Sequence, residues 1–142
     1  MNVWVSASDG DSEAVKKYLA DGGDVNAKDE FGYTPLQAAV SYNHIELVQF
    51  LLASGASATL ADNDLDTPLH RAETVDCAKI LLHHGAQLNA RNSEERTPFD
   101  AATEEGHTEL IAFYESLGAE KSDITPDEDE PQEWNVNMAM EE

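Results

Sequence analysis

Thr-Pro occurs at Thr34-Pro35, Thr67-Pro68 and Thr97-Pro98, at spacings of 33 and 30 residues. Gly-Ala answers it at Gly55-Ala56, Gly85-Ala86 and Gly118-Ala119, at spacings of 30 and 33. Two unrelated dipeptides running in phase mark an internal repeat, which is one supersecondary unit copied along the chain. Between them run apolar segments of helical period: Ile45, Leu47, Val48, Leu51 and Leu52, then Val75, Ala78, Ile80, Leu81 and Leu82, then Leu110, Ile111, Phe113 and Tyr114. Asn26-Ala27 and Asn89-Ala90 close two of the units. Each unit therefore reads as two short antiparallel helices and an extended hairpin. Thr34, Thr67 and Thr97 are suited to cap a helix start, and the prolines after them occupy a first-turn position where a missing N–H costs nothing. Gly55, Gly85 and Gly118 stand where a helix ends in a left-handed residue. One such unit cannot bury its apolar side alone, so the units must stack.

The second unit runs Asp29-Glu30-Phe31-Gly32-Tyr33-Thr34-Pro35-Leu36-Gln37-Ala38-Ala39 and continues to Gly55-Ala56. The third keeps Thr67-Pro68-Leu69-His70, and the fourth keeps Thr97-Pro98, Ala101-Ala102 and Gly106-His107. The first begins at Val3 and is marked by Ser6-Ala7, Asp9-Gly10-Asp11, Tyr18-Leu19 and Asp24-Val25-Asn26-Ala27. On these residues the chain resembles the ankyrin repeat family over positions 2–121, and is most similar to small stand-alone four-repeat members without a catalytic domain. The resemblance implies an all-α solenoid of helix-turn-helix units with extended hairpin loops. Its domain spans 1–121, with a partial capping repeat at 2–28 and repeats at 29–61, 62–91 and 92–121. Residues 122–142 form an acidic tail.

Charge narrows the partners. Eight Lys and Arg against 29 Asp and Glu leave a formal charge of −21 and a pI near 4.2. Phosphate recognition needs cations, so nucleic acid and anionic membranes are poor partners and basic proteins are natural ones. No stretch approaches the roughly 20 apolar residues that span a bilayer. The opening Met1-Asn2-Val3-Trp4 shows no signal-peptide pattern. The single cysteine, Cys77, fits a reducing compartment, cytoplasmic or nuclear, and the protein is expected to be a monomer.

The third unit departs from the pattern. It is three residues short between Pro68 and Gly85, which removes about 4.5 Å from its first helix. Thr74 is then expected to cap the second helix, with Asp76 in the first turn. A tolerated deletion at a turn is the plainer reading; a notch exposing Arg71 and Glu73 to a partner is the sharper one. The turn glycine present as Gly32 is replaced by Leu65 and Glu95, for which a changed turn type is expected in place of a strained positive φ. Leu65 either packs on a neighbouring hairpin or anchors an interface.

Reactive chemistry finds little support. Residues 62–73 imitate a calcium loop, but Thr67 stands where that loop needs its glycine and Pro68 follows. His83 and His84 are adjacent and point about 100° apart on a helix, so they cannot share a metal. Cys77 falls on the apolar stripe, where a thiol is inert. Neither a glycine-rich phosphate loop nor G-x-S-x-G nor H-E-x-x-H occurs. No catalytic residue, cofactor or metal ligand is assigned.

The resemblance implies that a protein partner lies along the hairpin tips and first-helix face. The tips carry Glu30, Phe31, Tyr33, Asn63, Asp64, Asp66, Ser93, Glu94 and Arg96; the helices add Ser8, Asp9, Ser41, Tyr42, Glu104 and Glu105. Seven acids against one base make this surface acidic around the aromatic group Phe31, Tyr33 and Tyr42. Aromatics at such places are binding anchors and acids steer a basic partner, although acids also serve solubility. In the tail, eight acids and no Lys or Arg accompany Trp134, Val136, Met138 and Met140. That segment reads as a cap folded back on the fourth unit, as a linear partner motif, or as an inert end. The function expected is a non-enzymatic adaptor or inhibitor with Phe31, Tyr33, Tyr42 and Leu65 as anchors, Asp64, Asp66, Glu94, Arg96, Glu104 and Glu105 around them, and Trp134 in the tail. Two alternatives stand beside it. One is an escort for a very basic client such as a ribosomal protein or histone. The other is a protein like the four-ankyrin kinase inhibitors, whose short helix falls in the second unit rather than the third.

Overall fold

The computed structural model describes residues 2–120. Six of the seven α-helices among these residues form three pairs: α1 (Val3–Ser8) with α2 (Ser12–Ala20), α3 (Pro35–Ser41) with α4 (Ile45–Ala53), and α6 (Pro98–Glu105) with α7 (Thr108–Ser116). In the third unit a short 3-10 helix (Pro68–Arg71) stands where an inner α-helix would be, before α5 (Val75–His83). No strand occurs among the described residues. The inner helices stack in the order α1, α3, the 3-10 helix, α6, and each touches its neighbours in that row. This is the stacked all-helical solenoid that the repeat implied. Unit one is a helix pair without, among the described residues, the hairpin that opens each later unit.

The inner helices have only seven, four and eight residues after the first unit, too short to be stable alone. Caps and burial hold them. Thr34 Oγ1 accepts from the Gln37 N–H at 3.2 Å while Gln37 Oε1 accepts from the Thr34 N–H at 3.1 Å. Thr97 and Asp100 repeat the reciprocal pair, and both arrangements are capping boxes. Leu36, Val48, Leu51, Leu69, Leu81, Leu110 and Tyr114 form one continuous buried core. The asparagines that close two units tie each to the next: Asn26 Oδ1 accepts from Ser57 N–H at 2.9 Å, and Asn89 Oδ1 from Glu120 N–H at 2.8 Å.

Unit three shows what a three-residue deletion does. In the other units the inner helix is followed by a left-handed residue, Gly10, Asn43 or Gly106. Unit three has none; Ala72 is extended, with ψ 137°. Thr74 caps α5 as expected, accepting from the Cys77 N–H at 3.2 Å, and its hydroxyl donates to Asn43 Oδ1 at 3.1 Å.

The expectation of a changed turn at Leu65 and Glu95 is corrected. Their φ values are 63° and 64°, against 81° for Gly32, so the same left-handed turn persists. The cause lies in the residue that opens each hairpin. Asp29 Oδ1 accepts from the N–H groups of Phe31 and Tyr33, Asp62 Oδ1 from those of Asp64 and Asp66, and Asn92 Oδ1 from those of Glu94 and Arg96. Backbone bonds Gly32 N–H to Asp29, Leu65 to Asp62 and Glu95 to Asn92 complete an identical set. Three such bonds at about 1 kcal/mol each outweigh a left-handed penalty of about 1–2 kcal/mol.

Candidate functional site: the concave face

Because the inner helices start beside the hairpins, the side chains of both face one concavity. Its first part is a groove of about 440 Å3 between units one and two. Phe31 and Tyr42, 59% and 64% exposed, both line it, and Val5 of α1, 55% exposed, supplies a third apolar wall. The Phe31 and Tyr33 ring centroids lie 6.1 Å apart, and the Tyr42 ring stacks on His44 at 6.5 Å. Tyr33 is half-buried at the groove's inner end, with the Arg71 guanidinium 4.6 Å from its ring centroid and donating to its hydroxyl at 3.1 Å.

Arg71 is therefore not presented to a partner, as the notch reading had it. It donates to Asp62 Oδ2 at 2.7 Å and sits 3.5 Å from Asp66. The Asp62 side chain is 1% exposed and that of Arg71 25%. Burial works against the guanidinium charge, but the hydrogen bond to Asp62 and the charges of Tyr33, Asp62 and Asp66 more than offset it, so its pKa lies above the ordinary value. The same bonds absorb the acids that imitated a calcium loop: Asp62 holds its own hairpin and Arg71, while Asp66 accepts from Asn92 Nδ2 at 2.8 Å. Among the described residues no three His, Cys, Asp or Glu are grouped to hold a metal ion.

The missing helical turn does open a notch, of about 350 Å3, between α3 and α6. Glu73, Glu94, Glu104 and Glu105 line it, all exposed. Arg96 forms an ion pair with Glu104. Leu65, 52% exposed, stays at the hairpin tip and lines neither hollow. Asp64 is exposed beside it, its carbonyl accepting from the Ser93 N–H at 2.8 Å. Trp134 lies outside the described residues, as do the three readings of the tail.

Val5 and Trp4 were missed as groove residues. The signal was present: Val3 and Ala7, four apart, are buried, so Val5 between them turns to the opposite side of α1. Elsewhere, Cys77 is fully buried, and burial followed by the charge of Glu73 pushes its thiol up to about 12. His83 and His84 are exposed at the end of α5, where His84 Nδ1 donates to the Ile80 carbonyl at 2.9 Å.

Residues 3–92 match the sequence profile of ankyrin repeats in three copies, and 73–113 that of ankyrin repeats in many copies. The chain belongs to the ankyrin repeat family. It is 39% identical over 94 residues to an ankyrin repeat-containing protein of Schizosaccharomyces pombe, covering 66% of this chain and 45% of that one. It is 30% identical over 128 residues to the tyrosine-protein kinase HTK16 of Hydra vulgaris, covering 85% of this chain and 17% of that one. It is 36% identical over 115 residues to the E3 ubiquitin-protein ligase Ufd4 of Drosophila melanogaster, covering 76% of this chain and 4% of the ligase. The chain thus spans less than half the length of these relatives. Ankyrin repeats are generally protein–protein interaction modules, and the family is generally non-catalytic. No helix among the described residues is long and apolar enough to cross a membrane.

Proposed function

We propose that this ankyrin protein is an adaptor or inhibitor that captures a protein partner on its concave face, as a monomer, in the cytoplasm or nucleus. The supporting observation is the groove between units one and two, where Val5, Phe31 and Tyr42 leave more than half of their surface open around one hollow. Exposed aromatic and aliphatic side chains converging on a concavity are the usual anchors of a protein interface. Tyr42 is the cleaner probe, because Tyr33 also supports Arg71.

The test is site-specific photo-crosslinking in the source cells from position 42 and from position 49, where Gln49 is exposed on the outer helix α4. The concave reading expects defined protein adducts from position 42 and few from position 49. Equal adducts from both, or adducts from 49 alone, would sink it.

A second reading, an escort for a very basic client, is favoured by the acidic notch in unit three together with the −21 charge. It expects adducts to one basic protein that disappear as salt is raised. The kinase-inhibitor alternative gains no support, since the shortened helix stands in the third unit.

A further inference from the structure

The groove and the notch adjoin at Ser41 and Arg71, which line both, and so form one stretch of hollowed surface. Its two ends differ in chemistry. At the groove end the open walls are Val5, Phe31 and Tyr42, and the half-buried Trp4 lines the same hollow. Trp4 is fixed there by Nε1 donating to the Ala27 carbonyl at 3.0 Å. At the notch end the open walls are Glu73, Glu94 and Glu105, none of which forms an ion pair among the described residues. Arg71 stands at the boundary, but its charge is already committed to Asp62 and Asp66.

We propose that this hollowed surface takes an extended peptide segment of a partner protein that carries one bulky apolar residue followed, on one consistent side, by Lys or Arg. The apolar side chain seats between Val5, Phe31 and Tyr42, and the basic side chains lie in the notch against Glu73, Glu94 and Glu105. This rests on the concave-face reading and adds the chemistry and direction of the partner. Stacked helices sit about 8–10 Å apart, and the notch lies one to two inner helices from the groove, so the separation is about two to six residues of extended chain. Charge complementarity selects this occupant. The phosphates of a nucleic acid or lipid would meet the notch carboxylates with like charge. The chain's own residues 122–142 offer Trp134 to the groove, but they bring eight acids and no Lys or Arg to the notch.

The experiment is to pan a phage-displayed library of random dodecapeptides against the immobilised full chain, then to measure the selected peptides by fluorescence anisotropy. The expected winners hold one aromatic or branched aliphatic residue with two or more Lys or Arg about two to six positions away. A scrambled peptide of the same composition should bind at least tenfold more weakly. Tyr42→Ser or Val5→Ser should weaken the winner at least tenfold, and the triple variant Glu73→Gln, Glu94→Gln, Glu105→Gln should do so to a similar degree. All five side chains are exposed, and urea midpoints matching wild type confirm that the fold is kept. A winner sensitive to Tyr42→Ser but indifferent to the triple variant overturns the inference and leaves the concave-face reading standing; indifference to both overturns both. Failure to enrich, or equal binding of the scrambled peptide, also overturns the inference. So does a gain of more than threefold on Trp134→Ser, which would make the tail the occupant.

Discussion

Gln37 and His70, one repeat apart, make the same two hydrogen bonds with different chemistry. Gln37 Nε2 donates to the Asp66 carbonyl at 2.7 Å, and His70 Nε2 to the Arg96 carbonyl at 2.8 Å, so each ties its helix to the hairpin of the following unit. Each also accepts from the N–H of its own capping threonine, Gln37 Oε1 from Thr34 and His70 Nδ1 from Thr67, both at 3.1 Å. The amide and the neutral imidazole each present one donor and one acceptor, which is what the position requires. His70→Ala is expected to cost about 2 kcal/mol, from two lost bonds and a carbonyl left dry. His70→Gln is expected to recover more than half. Urea midpoints of the two variants check this, and equal losses would show that shape rather than bonding matters there.

Leu65 carries left-handed strain that Gly32 avoids. Leu65→Gly is expected to stabilise the protein by about 0.5–1 kcal/mol, the relief of strain less the added freedom of the unfolded chain. Gly32→Ala is expected to destabilise it, because a Cβ there would lie 2.8 Å from the Asn63 nitrogen as well as being strained. Opposite shifts in the thermal midpoint are the readout. A neutral or lower midpoint for Leu65→Gly would mean that its side chain contributes packing.

Arg71 compensates a carboxylate that is almost wholly dry. Arg71→Met is expected to cost about 2–3 kcal/mol, below the usual loss for a buried pair because water reaches the guanidinium side. Adding Asp62→Asn is expected to restore about 1 kcal/mol, since Asn92 holds the equivalent turn in unit four with the same two acceptor bonds. Chemical denaturation of the single and double variants decides it; an additive double loss would contradict the account.

Cys77 is expected to react slowly with a disulfide reagent at pH 8 in the folded protein and at once in urea. Below its ordinary value of 9.0 the thiol is neutral in both folded and unfolded chains. Between 9.0 and about 12 only the unfolded chain gives up the proton, so stability falls as pH rises through that window. Burial raises Tyr114 as well, with Cys77 adding to it, so the phenol contributes to the same decline. Cys77→Ala is expected to make the fall shallower, read from urea midpoints between pH 8 and 11. An unchanged slope would assign the whole decline to other groups.

What was legible in the sequence is what local hydrogen bonding decides. The threonine caps, the glycine helix ends and the cap at Thr74 follow from residues within four positions of one another. The turn at Leu65 was misread because an amino acid's own preference was weighed against a turn that Asp62 holds from three positions earlier. Only the sharper of two readings of unit three offered Arg71 to a partner, and the sequence did not show its own partners, Tyr33 and Asp62, because they lie in two different hairpins. The groove's third wall, Val5, depends on how α1 rotates against α3, which Val3 and Ala7 set and which motif matching alone does not reveal. The exposure of Phe31 and Tyr42 was legible because variable positions in a stacked repeat point outward by construction.

The short 3-10 helix has a mechanical meaning as well. In a solenoid whose units touch their neighbours in a row, cooperativity propagates like current through resistors in series, and the joint with least interface limits it. Pro68–Arg71, the shortest of the inner elements, stands between the two halves of the stack. A segment lying across α3 and α6 would act as a splint, suppressing independent opening of the halves and adding long-range order to a chain that otherwise has only short-range coupling.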